Sequence, residues 1–542
     1  MLKTYTNPEY AYVPSADQGA PATVHHPVII IGAGPCGLAA ALDLATQGVR
    51  SVVLDDNNTV SVGSRAICFS KRTLEILDRY GCAAPMNEKG ITWKKGKVFF
   101  RNKQIYDFDL LAEEGHKLPA FINLQQYYFE EYMIDRALEF AEIDLRWKSR
   151  VSKVEDHTDK TTLTVETPDG SYDLSCDYLL VADGANSGIR DMLGLESKGQ
   201  EFHDRFLIAD VVMKAEFPTE RWFWFDPPFH PNQSVLLHKQ ADNVWRIDFQ
   251  LGWDADPEEE KKEENIRPRI QQMLGKDVEF ELEWASVYTF KCRRMDNFIK
   301  NRVVFMGDAA HQVSPFGARG ANGGIQAVEN LAWKLARVLQ GYAPHSLLET
   351  YNQERIHGAA ENILNSTRAT DFITPKNEIS RIFRDETLRL AEKFPFARSL
   401  VNSGRLSTPC DYASSDLITK TNGSGIQPGF VAKDAPIEMN GEKGWLMDQL
   451  GSRFVALINS DGVSADDISA LSKISDDLDV LEVSAHKQGP NILDDCDGLI
   501  AERYALSAGV VYLIRPDQYV AARFEGPAAA DVNAALDKSL GR

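Results

Sequence analysis

The sequence predicts an α/β fold with a Rossmann-like parallel sheet in its N-terminal part and a small separate α/β unit at its C-terminal end. Three observations carry this. An apolar β-branched run at Val28–Ile31 leads straight into a glycine turn and a helical pattern. Two later segments, 176–190 and 301–339, again end an apolar strand in a small-residue turn bearing an acid. A stretch rich in Ser, Gly, Thr and Pro at about 403–429 then precedes strand-like runs at Phe454–Ile458 and Val510–Ile514, with helix-like stretches between.

Composition removes several function classes. The chain has 542 residues, 43% hydrophobic and 25% charged, which is an ordinary globular balance, and at about 150 residues per domain it suggests two to four domains. Lys plus Arg number 59 against 79 Asp plus Glu, a net charge of −20. That balance argues against nucleic-acid partners and anionic membrane surfaces, since nothing neutralises phosphates in bulk. No apolar run approaches the ~18 residues that span a bilayer. Residues 1–26 form a polar arm, expected to wrap or fray, without the apolar stretch of a secretion signal. Seven cysteines, an odd number with no CxxC, indicate neither a disulfide framework nor a zinc cluster, so no metal site is expected and a reducing cytoplasm is the default location. The charged run 254–265 reads as a solvated loop and helix start.

The first chemical motif is VIIIGAGPCGLAAALDLATQG at 28–48. Gly32 allows the tight turn, Gly34 lets backbone N–H groups approach a pyrophosphate, and Gly37 lets the helix pack on the strand. The phosphates then sit at a helix N-terminus, where free N–H groups and the dipole favour anions. A second strand, Ser51–Leu54, ends in Asp55, at the spacing of a carboxylate for the adenosine ribose. In 301–339 the strand Arg302–Met306 delivers Asp308 to the carboxyl edge of the sheet, where an acid can accept a ribityl hydroxyl. Pro315, Gly317, Gly320, Gly323 and Gly324 build a loop with little side-chain bulk, suited to lie against a flat ring. The following helix aims its N-terminus, near Asn322–Gly324, at that ring.

Together the GxGxxG loop, the Asp183-Gly184 motif and the Gly307-Asp308 motif resemble the FAD-dependent aromatic hydroxylases of the p-hydroxybenzoate hydroxylase type. More narrowly, 63–77, 123–133 and 223–252 look like the branch containing 3-(3-hydroxyphenyl)propanoate hydroxylase. The resemblance implies a Rossmann-like FAD-binding domain (27–85 with 123–199 and 301–402), an interleaved β-sheet substrate domain (86–122 with 200–300), a linker (403–428) and a C-terminal thioredoxin-like α/β domain without CxxC (429–542), which packs or mediates assembly, with a homodimer as the suggested oligomer. It implies FAD contacts at Gly32, Gly34, Gly37, Asp55, Arg65, Gln126 (Gln125 as the fallback), Asp183, Asp308, Pro315, Gly320, Asn322 and Gly323. The sequence departs from the family pattern at Asp56, Ile67 and Ala327.

The resemblance also implies a reaction: NADH or NADPH reduces FAD, O2 adds to give a flavin C4a-hydroperoxide, and the distal oxygen passes to an activated ring carbon of a small phenolic substrate. A hydroxyphenyl carboxylic acid is the substrate class suggested. Candidates for the catalytic and substrate-side residues are Tyr288 as a relay for the phenol proton, His238, and Arg246 as a fork for a substrate carboxylate. Each has a plain structural alternative: a core tyrosine, a sheet residue and an exposed strand cation. His311 is read as capping its loop. Two rival functions remain open. Trp222-Phe223-Trp224-Phe225-Asp226-Pro227 approximates the WxWxIP motif of flavin-dependent halogenases, and a non-hydroxylating flavoprotein of the same fold is the other.

Overall fold

A computed structural model describes residues 2–213, 217–401, 406–421, 423–484, 486–487 and 489–542. Two eight-stranded sheets dominate it. In the first, Val24–Ile31 lies parallel between Gly170–Val181 and Ser51–Leu54, with Val303–Phe305 beyond the former and Ile143–Arg146 beyond the latter. These strands are short and apolar because helices cover the sheet, chiefly Pro35–Thr46 and Gly320–Leu339, which leaves Val28, Ile29 and Ile30 with no exposed surface.

The register of this sheet places the site. Ile31 stands opposite both Val181 and Leu54, and Val181 stands opposite Phe305. Four strands therefore end level with one another. The residues that follow them, Gly32, Asp55, Asp183 and Gly307-Asp308, fall along one carboxyl edge, where ligands bind in open α/β sheets.

The second sheet is largely antiparallel. It combines Lys95–Phe100 and Lys103–Asp109 with Ser197–Val212, Arg221–Phe225, Ser234–Lys239, Val244–Leu251 and Glu281–Met295, and takes His311–Gln312 at its edge. Its two faces differ because side chains alternate. One face presents Leu207, Ala209, Val235, Leu237, Trp245, Ile247 and Phe249 to a hydrophobic core closed by Ile266 and Ile270 of the helix Glu263–Leu274. Trp222 and Trp224, the tryptophans of the halogenase-like motif, belong to this core and point away from the other face. Strand Phe121–Asn123 lies outside this sheet and pairs instead with Cys68–Ser70 on one side and Ile91–Trp93 on the other.

The N-terminal arm wraps rather than frays. Tyr5 stacks on Tyr127 at 4.1 Å and Tyr10 on Trp147 at 4.7 Å, while the Lys3 and Thr4 amides donate to the Glu283 carboxylate at 2.9 Å. The stretch expected as a linker lies partly outside the described residues, and in its described part Tyr412, Leu417 and Ile418 are buried. Beyond it, a five-stranded sheet pairs Phe454–Asn459 in parallel with Leu478–Val483 and antiparallel with Val511–Ile514, and Val520–Phe524 closes one edge. No helix among the described residues is long and apolar enough to cross a membrane.

Candidate active site

The carboxyl edge of the first sheet opens into a cleft of about 1170 Å³ that runs to the polar face of the second sheet. Pockets for a single ligand usually hold 300–1,000 Å³, so this one has room for a dinucleotide and a further small molecule.

At the nucleotide end, the three glycines have three different surroundings. Gly32 has φ +99°, and a Cβ there would come within 2.6 Å of the Ala182 carbonyl oxygen. A Cβ on Gly37 would overlap the Gly32 carbonyl oxygen. A Cβ on Gly34 would meet no protein atom within 4 Å, and Gly34 lines the cleft. The first two glycines serve the chain and the third leaves space for a ligand. Asp55 accepts from the Ala33 amide at 2.6 Å and the Asn57 amide at 2.8 Å, so its carboxylate braces the glycine turn, and burial raises its pKa.

Midway, Gln126 accepts from the Ala66 amide at 2.9 Å and donates to Glu130 at 2.8 Å, which in turn accepts from the Ser61 amide. That chain holds the 61–66 segment and with it Arg65 against the cleft. Gln125, by contrast, is turned inward and donates to the Ala241 carbonyl. Asp183 accepts from the Ile189 amide at 3.1 Å with one oxygen, and its Oδ1 is buried without a partner among the described residues. Burial raises its pKa. Asp308 opens onto the cleft with protein crowding its other sides, which pushes it up to about 6 against the opposing effect of Arg65.

At the far end, Pro315, Gly320 and Asn322 line the cleft in front of the helix Gly320–Leu339, and Gly323 lies one residue behind. The Asn322 side chain is tied into the protein. It accepts from the Ser70 amide and the Thr73 hydroxyl and donates to the carbonyls of Cys68 and Ala318, which leaves it no unused bond. Its contribution is to fix the loop. Phe316 packs on Phe206 and Phe290, centroids 4.9 and 5.4 Å apart, and so joins this loop to the second sheet.

The polar face of that sheet supplies the remaining wall. Its register sets Asp210 opposite Arg246, Arg246 opposite His238, and, one step beyond the Trp222–Leu237 pair, His238 opposite Arg221. Residues directly opposite share a face. Asp248 and Tyr288 lie on the same face and also line the cleft.

Arg246 corrects the sequence expectation on both counts. It is buried, and its fork is occupied: Nε donates to Asp210 Oδ1 at 2.8 Å and Nη2 to Oδ2 at 2.9 Å, with further bonds to the carbonyls of Ser64 and Arg65. It anchors the Arg65 segment to the second sheet instead of presenting an open fork. Tyr288 packs edge-on against Phe290 at 5.3 Å; burial, reinforced by Asp248, raises its pKa and keeps the hydroxyl protonated. His238 has Nε2 3.4 Å from Asp248 and Nδ1 3.9 Å from the Cys68 sulfur. His311 stacks on Phe298 at 5.9 Å, with its Nδ1 buried and without a partner among the described residues.

Burial, with Arg221 beside it, pushes the His238 pKa down to about 4. The stabilisation from a neutral buried ring is therefore complete above the ordinary value of 6.5 and is lost as the pH falls through about 4. His238→Gln is expected to flatten that part of the acid limb; a melting temperature that falls equally steeply in both proteins would place the loss elsewhere.

Sequence reasoning missed Arg221, Asp210 and Asp248. The alternation in Arg221-Trp222-Phe223-Trp224-Phe225 does put Arg221 on the face opposite the tryptophans, but nothing in the spacing says which face meets the cleft.

Fold and cleft define a dinucleotide-dependent flavoenzyme: glycine turn, level strand ends and a second helix N-terminus surround one continuous cavity. The chain belongs to the family described as FAD binding domain, whose model matches residues 25–366. It is 30% identical over 70% of its length to the 12-dehydrotetracycline 5-monooxygenase/anhydrotetracycline 6-monooxygenase of Streptomyces rimosus, spanning 76% of that protein. It is 26% identical over 95% of its length to the 3-(3-hydroxy-phenyl)propionate/3-hydroxycinnamic acid hydroxylase of Burkholderia cenocepacia, spanning 97% of it. Among solved structures, aklavinone-11 hydroxylase in complex with FAD and aklavinone superposes with a TM-score of 0.78 at 23% identity, covering 96% of this chain and all of the other. A flavin-dependent monooxygenase solved with FAD and substrate superposes at 0.82 with 20% identity and the same coverage. The protein is an FAD-dependent enzyme of the aromatic monooxygenase type.

Proposed function

We propose that the protein hydroxylates a phenolic ring, using NADH or NADPH as a transient reductant and O2 as the oxygen source. The observation that carries this reading is the single cleft that joins the dinucleotide edge to a wall of aromatic and ionisable side chains. FAD, when bound, supplies the electron transfer from nicotinamide and the delivery of one oxygen atom to the ring. The chain's own residues do the rest. Gly32, Gly34 and Asp55 shape the nucleotide end. Arg65, Gln126, Asp183 and Asp308 lie along the middle, and the loop from Pro315 to Gly323 backs the ring. Phe206, Phe290 and Phe316 keep the reacting region dry, which oxygen transfer requires.

A phenol attacks through its ring carbon once its hydroxyl gives up a proton. The Asp248 carboxylate, on the cleft face, is suited to accept that proton. Tyr288, held protonated, donates a hydrogen bond to the resulting oxygen. The relatives are named for anhydrotetracycline and for 3-(3-hydroxy-phenyl)propionate; these names support an aromatic substrate, and a hydroxyphenyl carboxylic acid is the class we carry over. We further propose that the segments 86–122 and 200–300 act as the substrate domain, and that the C-terminal α/β unit is thioredoxin-like in topology with an assembly role.

The test is a panel of phenolic acids and simple phenols, each scored by NADH and NADPH oxidation, peroxide release and incorporation of labelled oxygen. A phenol that stimulates oxidation and gains one oxygen atom is the expected result. No stimulation across the panel would remove the hydroxylase reading.

A further inference from the structure

Two buried arginines stand on the cleft face of the second sheet, and among the described residues only one of them has a carboxylate partner. Arg246 is bound by Asp210, and the Asp248 carboxylate faces His238. Arg221 is only 5% exposed, yet among the described residues no carboxylate lies within 4 Å of it. Among the described residues its one hydrogen bond runs from Nη1 to the Cys68 sulfur at 3.3 Å, and its Nε is buried without an acceptor there. A thiol is a weak acceptor and leaves the positive charge uncompensated.

Burying a cation without an anion costs several kcal/mol. The packing around Arg221 does nothing to avoid that cost and instead fixes its direction. The guanidinium lies over Phe223 at 5.1 Å and over Trp93 at 5.9 Å, so two rings hold it in place. The sheet places it at the end of the row Asp210–Arg246–His238–Arg221, and it lines the cleft. His238 beside it also lines the cleft, sets its Nε2 3.4 Å from Asp248, and stays neutral near pH 7. A neutral imidazole brings no counter-charge to the guanidinium, and the Asp248 carboxylate is set against that ring and not within 4 Å of Arg221.

We propose that Arg221 is the receptor for a carboxylate on the aromatic substrate. Guanidinium matches carboxylate in shape and charge. The counter-anion missing from the protein would arrive with the substrate, and an acid would be preferred over the corresponding neutral compound. This rests on the hydroxylase reading of the cleft and moves the carboxylate contact from Arg246, whose fork is filled, to a cation on the neighbouring edge of the same face.

The test uses the FAD-loaded enzyme and follows the flavin absorbance while benzoate, 3-phenylpropanoate, their two amides and 3-ethylphenol are titrated in. None requires turnover, so binding is read independently of hydroxylation. The acids are expected to bind at least about tenfold more tightly than their amides, the size of a charge-assisted hydrogen bond. Arg221→Gln should erase that ratio while leaving 3-ethylphenol unchanged, and Arg221→Lys should retain part of it. The proposal is overturned if the wild-type enzyme shows no preference for the acids, or if Arg221→Gln keeps it. It is also overturned if Arg221→Gln weakens 3-ethylphenol and spares the acids, since the anion received would then be a phenolate. Should Arg221→Gln fail to hold flavin, Arg221→Lys and the acid-to-amide ratio of the wild type carry the test. An acid preference that survives a failed phenol panel would uphold the receptor and remove only the hydroxylase reading.

Discussion

Gly34→Ala is expected to yield a folded protein without its yellow colour, whereas Gly37→Ala should lose both colour and stability. The two residues sit three apart in one turn, yet the atoms that would meet a new methyl group differ completely. At Gly34 an added Cβ meets nothing of the protein within 4 Å. The apoprotein of this variant should therefore melt with the wild-type apoprotein. Its methyl group would instead occupy the space through which backbone N–H groups approach the pyrophosphate, and a close backbone approach cannot be recovered by moving a side chain.

At Gly37 the added Cβ would overlap the Gly32 carbonyl oxygen and lie 3.0 Å from its carbon. Both are backbone atoms of the strand-to-helix turn, so relief requires the helix Pro35–Thr46 to lift from the sheet. That helix is apolar through Leu38, Leu42 and Leu44, all fully buried. Overpacking a well-packed site costs ~1–3 kcal/mol where side chains can yield, and here none can. Flavin absorbance per protein and the melting temperature of each apoprotein check the pair. A Gly34→Ala protein with full flavin occupancy would mean that the dinucleotide does not approach this turn.

The contrast explains why half of the site could be read from the sequence. Dinucleotide binding is a demand on the backbone, and backbone demands leave glycines at fixed spacings: Gly32, Gly34 and Gly37 after a strand, then acids just past three other strand ends. Periodicity and turn chemistry locate such features with no knowledge of the rest of the chain. The substrate wall is a different kind of object. The roles of Arg246 and Arg221 depend on which carboxylates the sheet sets beside them. Asp210 is 36 residues from Arg246, brought there by strand register, and no local pattern encodes that pairing. Composition misled in a related way at the arm and the presumed linker. Both are rich in polar and small residues, but each is fastened by a few aromatic or aliphatic anchors, Tyr5 and Tyr10 in one, Tyr412 and Leu417 in the other. Sparse anchors carry no periodicity, so averaging over a window hides them.

Those anchors lead to the ion network beneath them, where Glu354→Ala is expected to be the most destabilising single change outside the cleft. Glu354 lies on the helix Leu347–Ile373 with its side chain 1% exposed. It accepts from Arg515 at 2.8 and 3.1 Å, from Lys334 at 2.7 Å, from Asn330 at 2.6 Å and from the Ser415 hydroxyl at 2.6 Å. Arg515 belongs to the C-terminal unit and is bound in addition by Asp517. One carboxylate thus ties two central helices, the 406–421 segment and the C-terminal sheet. Burial alone would raise its pKa, but Arg515 and Lys334 outweigh that and hold it well below the usual carboxylate range.

In the wild type the charges balance: Lys334 and Arg515 against Glu354 and Asp517. Removing Glu354 leaves two buried cations sharing one anion. Deleting one partner of a buried ion pair costs about 3–5 kcal/mol because the other charge is stranded. The C-terminal unit should then detach first, exposing the 406–421 segment to protease while the flavin-binding sheet stays folded. Lys334→Met made in the same chain removes one stranded cation and should recover part of the loss, a sign of coupling that two independent defects do not give. If Glu354→Ala unfolds in urea with the wild type and resists protease equally, the network is not what holds the C-terminal unit in place.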